Sequence, residues 1–263
     1  MGNSAGGELY HDRMIGILER LWGDGWLSPG GPDEVRRLLD KMDLRGKTVL
    51  DIGCGAGGID VQLVKEFGAA YVCGIDVEDT VLAAARSHAA KHGVADRIGA
   101  VKVAPGPLPF APTMFDIVFS KDSIVHIPDK HTLMVDVFRV LKPGGWFVAS
   151  DWLIGHDDEP SPMMKDYIAS EGLDFGMASP ARYREALVEA GFTNIAITSR
   201  NAWYRERARQ ELDALTGPLY AEAVASLGQM FVDHNATIWR NMIPVLDSGE
   251  HCPTHLRGQK PRP

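Results

Sequence analysis

The sequence predicts an α/β fold: a largely parallel sheet with helices on both faces. Two observations carry this. Short apolar runs of strand length alternate with helical stretches, an order that implies parallel strands joined by right-handed crossovers. The runs are almost uninterrupted by polar residues, as strands covered on both faces should be.

In chain order, Met14 to Trp22 reads as a short amphipathic helix, followed by a Gly/Pro-rich turn over Gly23 to Pro32. Asp33 is placed to cap a helix running to about Met42, with Val35, Leu38 and Leu39 on one face. Thr48 to Ile52 is a first strand ending in glycines, and Ile59 to Phe67 a helix closed by Gly68. Tyr71 to Ile75 is a second strand ending at Asp76, and Val81 to His92 a helix stopped by Gly93. Ile98 to Val103 and Phe115 to Phe119 read as strands, with the stiff run Pro105, Pro107, Pro109, Pro112 between them. Leu133 to Leu141 is a helix ending in Lys-Pro-Gly-Gly, and Trp146 to Ser150 a fifth strand. Beyond it come a helix over Pro180 to Ala190, two expected strands at Phe192 to Ile197 and Ala202 to Arg205, a mostly helical stretch from Arg207 to Met242, and a polar tail from Cys252 to Pro263.

A chain of 263 residues, 45% of them hydrophobic, can bury one large core. Its formal net charge of −8 would repel nucleic-acid phosphates, so a nucleic-acid partner is not expected. No apolar run reaches the roughly 18–20 residues of a membrane span, and Met1 to Glu8 lacks the apolar stretch of a secretory signal. Three scattered cysteines, Cys54, Cys73 and Cys252, give neither a disulfide framework nor a metal site. These features predict a cytoplasmic protein with no metal.

Glycines after a first strand let a ligand approach the backbone closely, and Gly53-x-Gly55-x-Gly57 serves equally for a dinucleotide or an S-adenosylmethionine site. Two acids decide between them. Asp51, just before the glycines, would repel a pyrophosphate and attract a sulfonium and an ammonium. Asp76, 25 residues later at the end of the second strand, can accept both hydroxyls of a ribose.

The run Val49 to Gly58 resembles the first motif of class I S-adenosylmethionine-dependent methyltransferases, and Gly74-Ile75-Asp76 their ribose-binding acid. Phe115 to Ser120 and Val140 to Gly145 are similar to their later motifs. The resemblance implies a Rossmann-like methyltransferase sheet with an N-terminal helical lid (1–44), a cofactor-binding core (45–155) and a C-terminal helical insertion with the last strands (156–263). It departs at Ala104-Pro105-Gly106-Pro107, where many such enzymes carry an acid beside adenine.

Trp22 to Gly31 and Ser120 to Lys130 further resemble the phosphoethanolamine N-methyltransferases, and the second segment also the sarcosine/dimethylglycine methyltransferases. This implies cofactor contacts from Tyr10, Leu27, Ser28, Asp51, Gly53, Gly55, Asp76, Val77 and Lys121. It also implies catalysis by a Tyr10–His126 pair with Asp122, and substrate contacts from Asp122, Trp152, Tyr167 and Glu171. The chemistry is consistent: an ammonium has no lone pair, so a base such as His126 must take its proton before the amine attacks. Asp122 would share a helix face with His126 if that stretch is helical, and Trp22, Trp26 and Trp152 are candidates for an aromatic cage. By alignment, Glu171, Leu173 and a position near Met242 stand where the resembled enzymes grip phosphate with Arg, Tyr and Lys, and the tail offers His251, His255 and Arg257 instead. The expectation is therefore methyl transfer to the nitrogen of a small polar amine, phosphorylated or not. A sarcosine-type amino acid, an oxygen or sulfur acceptor, a cofactor-binding protein without catalysis and a dinucleotide oxidoreductase are the competing readings.

Overall fold

The computed structural model describes residues 12–172 and 175–263. Its centre is one seven-stranded sheet. Strands β1 (Thr48–Ile52), β2 (Tyr71–Asp76), β3 (Ile98–Lys102), β4 (Phe115–Lys121) and β5 (Leu141–Ile154) are parallel; β6 (Thr193–Ser199) and β7 (His251–Gln259) complete it in the order 3-2-1-4-5-7-6. β7 is antiparallel to both of its neighbours. The order reverses between β1 and β4, where Leu50 faces Cys73 on one side and Val118 on the other. Connections leave such a switch point in opposite directions, so a crevice opens at the carboxyl ends of these two strands. The glycine loop after β1 and the segment after β4 both fall there.

Helix α1 spans Asp12–Trp22 and α2 Gly31–Leu38. With α3 (Gly58–Lys65) and α4 (Asp79–Lys91), α2 covers one sheet face, burying Val35, Leu38, Val61, Leu63, Val72 and Phe119 together. On the other face α5 (Lys130–Val140) and α7 (Pro180–Glu189) bury Leu133, Val137, Phe147 and Leu187. Each fully buried side chain of this kind contributes about 1.5–3 kcal/mol. The helix starts are written in the sequence. Asp129 accepts the Thr132 N–H at 2.9 Å to begin α5, and Ser161 and Ser179 do the same ahead of Pro162 and Pro180 for α6 (Pro162–Glu171) and α7. A third cluster joins α1 and α6 to α8 (Asn201–Thr216), α9 (Tyr220–Leu227) and α10 (Gln229–Ser248) through Ile17, Tyr167, Tyr204 and Trp239.

Three expectations are corrected. Asp33 is not the cap of α2, which starts at Gly31 after Gly30 in a left-handed conformation; Asp33 sits in the first turn and bridges Arg36. Ala202 to Arg205 is not a strand but the first turn of α8. Its aromatic residues suggest a strand, yet Tyr204, Ala208, Glu211 and Leu215 are buried at spacings of four, three and four, the helical period. The missing strand is the supposed tail: residues 251–259 form β7, inserted between β5 and β6. Its polar composition hid it, because His251, Thr254 and His255 are buried yet bonded to other groups rather than to water.

Candidate active site

The glycine loop is shaped by backbone demands. Gly53, Gly55 and Gly57 have φ of 76°, 52° and 81°, the left-handed region that favours glycine. A Cβ on Gly53 would stand 2.0 Å from the Ser123 hydroxyl, so the segment after β4 closes directly onto the loop. From the other side comes residues 23–30. Gly25 accepts the Gly58 N–H at 2.9 Å, and Leu27 packs on Gly55. A cleft results, lined by Leu27, Ser28, Gly53, Gly55, Asp76, Val81, Lys121 and Asp122.

Asp76 accepts N–H bonds from Gly55, Val77 and Glu78 at 3.2, 2.7 and 3.2 Å, which fix its carboxylate at the cleft edge. Burial raises its pKa while those bonds oppose the rise. The half-exposed Val77 contributes a backbone N–H there and its side chain points to solvent. Lys121 is buried and donates to the Ser28 hydroxyl (2.9 Å), the Pro29 carbonyl (2.9 Å) and Asp122 (2.6 Å). It thereby ties the loop over residues 23–30 to the end of β4.

Asp51 is fully enclosed rather than open to the cleft. Asp60 from α3 is enclosed with it, against Gly74, and among the described residues no N–H or O–H of another group bonds either carboxyl. Burial pushes Asp51 up to about 7 and Asp60 well above its usual value; the two carboxyls share protons. Asp60 was not singled out in the sequence, because an acid in the first turn of a helix reads as an ordinary N-terminal charge.

Asp122 and His126 do not share a helix face. Only Ile124–His126 is helical, as a single 3-10 turn, and Asp122 precedes it with φ of 54°. The Asp122 carboxyl is instead buried, accepting from Lys121, Ser150 (3.2 Å) and Tyr204 (3.2 Å). His126 is exposed, its ring 5.4 Å from Phe175. The turn that carries it is held from behind. Asp151 accepts the Val125 N–H at 3.0 Å and the Tyr183 hydroxyl at 2.5 Å, and Lys130 donates to the carbonyls of Ile124 (2.7 Å) and Ile127 (2.5 Å). Burial raises Asp151 to about 7 and lowers Lys130 to about 8. Tyr10, the expected partner of His126, lies outside the described residues, as does Leu173.

Beyond Asp122 lies an aromatic cluster: Trp152, Tyr167, Phe175 and His251, with ring centroids 5.3–6.3 Å apart. Trp152 Nε1, the Tyr167 hydroxyl and His251 Nε2 are buried there without a hydrogen-bond partner in that geometry among the described residues. Glu171, one turn after Tyr167, brings a carboxyl toward that hydroxyl, and burial raises it to about 7. Burial likewise lowers the His251 imidazole to about 4, keeping it neutral. Met242 is buried in the surrounding apolar shell.

Of the three tryptophans considered for a cage, Trp152 alone is here. Trp22 donates to Glu211 (2.7 Å) and packs against Trp239, and Trp26 is buried with α2 and α3. Of the tail residues offered, His251 reaches the cluster, and His255 and Arg257 do not. His255 and Arg200 bond Glu34 at 2.8 and 2.7 Å, and Arg257 bonds the carbonyls of Leu38 and Asp40. Tyr204 and Phe175 are site residues that sequence reasoning missed. Only the helical spacing around Tyr204 could have flagged one of them.

The fold and cleft define a nucleoside-cofactor enzyme of the doubly wound α/β class, with its site at the switch point. Residues 43–193 match the family described as a methyltransferase domain, and the chain belongs to that family, whose members draw their methyl group from S-adenosylmethionine. It is 34% identical over 206 residues to phosphoethanolamine N-methyltransferase 1 of Zea mays, a match covering 76% of this chain and 40% of that one. With phosphoethanolamine N-methyltransferase 2 of Caenorhabditis elegans it shares 27% over 263 residues, covering 97% and 57%. The chain thus spans about half the length of these relatives or less. A solved structure of phosphoethanolamine N-methyltransferase 2 from Haemonchus contortus, with phosphomonomethylethanolamine and S-adenosylhomocysteine, superposes with a TM-score of 0.88 at 27% identity, covering 97% of this chain and 59% of that one. A putative sarcosine dimethylglycine methyltransferase from Galdieria sulphuraria shares the fold, with a TM-score of 0.75 at 20% identity, covering 88% and 83%.

Proposed function

We propose that this chain transfers the methyl group of S-adenosylmethionine to the nitrogen of a small polar amine. The observation that carries this reading is Asp122. Its carboxyl lies on the wall of the cofactor cleft and is held there by Lys121, Ser150 and Tyr204, with the aromatic cluster behind it.

The cleft suits the cofactor: glycines that admit close approach and Asp76 for ribose hydroxyls, with Asp51 enclosed beneath the loop. Leu27, Ser28, Gly53, Gly55, Val77, Lys121 and, outside the described residues, Tyr10 would complete the contacts. When bound, S-adenosylmethionine supplies a methyl group already activated on a sulfonium. The protein must align the acceptor and take its proton. Asp122 steadies the cationic amine, and Trp152 and Phe175 enclose it. His126, exposed to solvent, receives the proton and passes it to water, with Tyr10 orienting the ring.

Trp152, Tyr167 and Glu171 would hold the far end of the acceptor. The cluster argues for an end without phosphate: a dianion would meet the carboxyls of Glu171 and Asp122 and a neutral His251, and Lys121 is already engaged. A hydroxyl, amide or second ammonium fits better. Within this reading, residues 1–44 act as a lid, 45–155 as the cofactor half and 156–263 as the acceptor side, in a cytoplasmic enzyme with no nucleic-acid partner. No described helix is long and apolar enough to cross a membrane.

A methylation assay over amines with phosphate, carboxylate, hydroxyl and ammonium tails tests this. Turnover confined to phosphorylated amines would refute the acceptor reading. S-adenosylhomocysteine binding with no turnover on any amine would refute the enzyme.

A further inference from the structure

One group of side chains outside the cleft has the composition of a metal site. His88 and His92 lie four residues apart on α4 and at its end, so both project from one face, their ring centroids 4.5 Å apart. Asp24, from the connection between α1 and α2, faces them: its carboxylate oxygen is 3.6 Å from His88 Nδ1. The three residues can each offer one ligand atom, all within 4.8 Å of one another. An imidazole pair with one carboxylate matches Zn²⁺, Co²⁺ or Ni²⁺ rather than Mg²⁺ or Ca²⁺, which take oxygen ligands.

The position gives such a site a consequence. Gly25, next to Asp24, packs on the His88 ring so closely that a Cβ would stand 2.8 Å from it. The same residue accepts the Gly58 N–H and lines the cofactor cleft with Leu27 and Ser28. An ion between Asp24 and α4 would therefore fix the loop that forms the outer wall of the cleft. We propose that Asp24, His88 and His92 bind one divalent ion of the zinc class, and that this ion strengthens cofactor binding by holding residues 23–30 in place. Three protein ligands leave a coordination position to water, the pattern of an exchangeable site rather than a closed structural one. Lys91, whose ammonium bonds Asp24, is the resident competitor for that carboxylate.

The test is a Co²⁺ titration of the metal-free, tag-free protein followed by its visible absorption, repeated with Zn²⁺ by calorimetry. One equivalent should bind. His92→Ala should weaken binding about tenfold or more, the scale of losing an element of a metal site, and His92→Gln should do the same while keeping side-chain bulk on the helix. Lys91→Gln should tighten binding several-fold, because Asp24 is then released. Zn²⁺ should in turn raise the affinity for S-adenosylhomocysteine, and by reciprocity that ligand should raise the affinity for Zn²⁺, in the wild type and not in His92→Ala. No binding, or binding equal in the wild type and both His92 variants, would overturn the site. Specific binding that leaves S-adenosylhomocysteine affinity unchanged would overturn its coupling to the loop. Failure of that ligand to bind under any condition would count against the cofactor reading, since the metal titration stands without it.

Discussion

Replacing Asp60 by asparagine isolates the energetic consequence of the two enclosed carboxyls beneath the glycine loop. In the unfolded chain both titrate near 3.8; in the native protein burial holds Asp51 at about 7 and Asp60 well above its usual value. Native protein thus retains protons that the unfolded chain releases, so stability is greatest below pH ~4 and is lost as pH rises toward 7. Asp51 alone, raised from 3.8 to about 7, gives a slope of about −1.4 kcal/mol per pH unit between about pH 5 and 6 and a cost of about 4 kcal/mol at pH 7, and Asp60 adds to both in the same direction. Asp60→Asn deletes one titration and should make that slope shallower. The variant should therefore be more stable than wild type at pH 7 without cofactor, and nearly equal to it at pH 4. For a chain of this size each 1 kcal/mol gained raises the melting temperature by roughly 2–4 °C. Urea unfolding of the cofactor-free protein at intervals from pH 4.5 to 7.5 measures both quantities. Parallel pH profiles for the two proteins, or a variant destabilised equally at every pH, would refute the shared-proton account.

Other perturbations separate the parts of the site. His126→Ala should lower turnover by about 10²–10⁴-fold, the usual yield of a proton-transfer group, while S-adenosylhomocysteine affinity by calorimetry stays within twofold; equal losses in both would remove it from the proton path. Glu34 is held at about 2 because the bonds from His255 and Arg200 outweigh the opposing effect of burial, so it stabilises above pH 4.5 and that share is lost as pH falls toward 2. Glu34→Ala should cost about 3–5 kcal/mol at pH 7 in chemical unfolding, since Arg200 and His255 are left unpaired; a cost below 1 kcal/mol would show the cluster is slack. Gly53→Ala should abolish cofactor binding or folding, because its φ is left-handed and the new methyl would meet Ser123; a variant that binds S-adenosylhomocysteine normally would show that the loop can relax. Glu171→Arg should shift acceptor preference toward tails bearing phosphate or carboxylate, read as kcat/KM ratios over the amine panel, and unchanged ratios would place Glu171 outside the acceptor site.

What the sequence revealed, and what it withheld, divides by range of interaction. Asp51, Gly53, Gly55 and Asp76 are legible because loop geometry and strand ends are local, and the acids sit at fixed distances from the glycines. The role of Asp60 was not, since an acid on α3 becomes unusual only when Gly74 and Asp51 close over it. The support behind His126 joins Lys130, Asp151 and Tyr183, three residues from three elements with no common pattern along the chain. His251 meets Trp152 and Tyr167 only because β7 lies beside β5, and β7 was itself obscured by polar residues that are bonded inside the protein, His251 to Leu153, Thr254 to Cys252 and His255 to Glu34 of α2. Ala202 to Arg205 failed for the opposite reason: a window of four aromatic-rich residues was too short to show the helical period that Tyr204, Ala208 and Leu215 make plain.

The insertion of β7 between β5 and β6 also bears on synthesis. β6 leaves the ribosome about fifty residues ahead of the strand that must pair with it, an interval of several seconds at ordinary elongation rates. Through that interval β5 and β6 both present open edges, and the gap between them admits any strand of suitable length. A nascent or truncated chain lacking residues 251–259 should be the species that chaperones hold, and the one most prone to pair with another copy of itself.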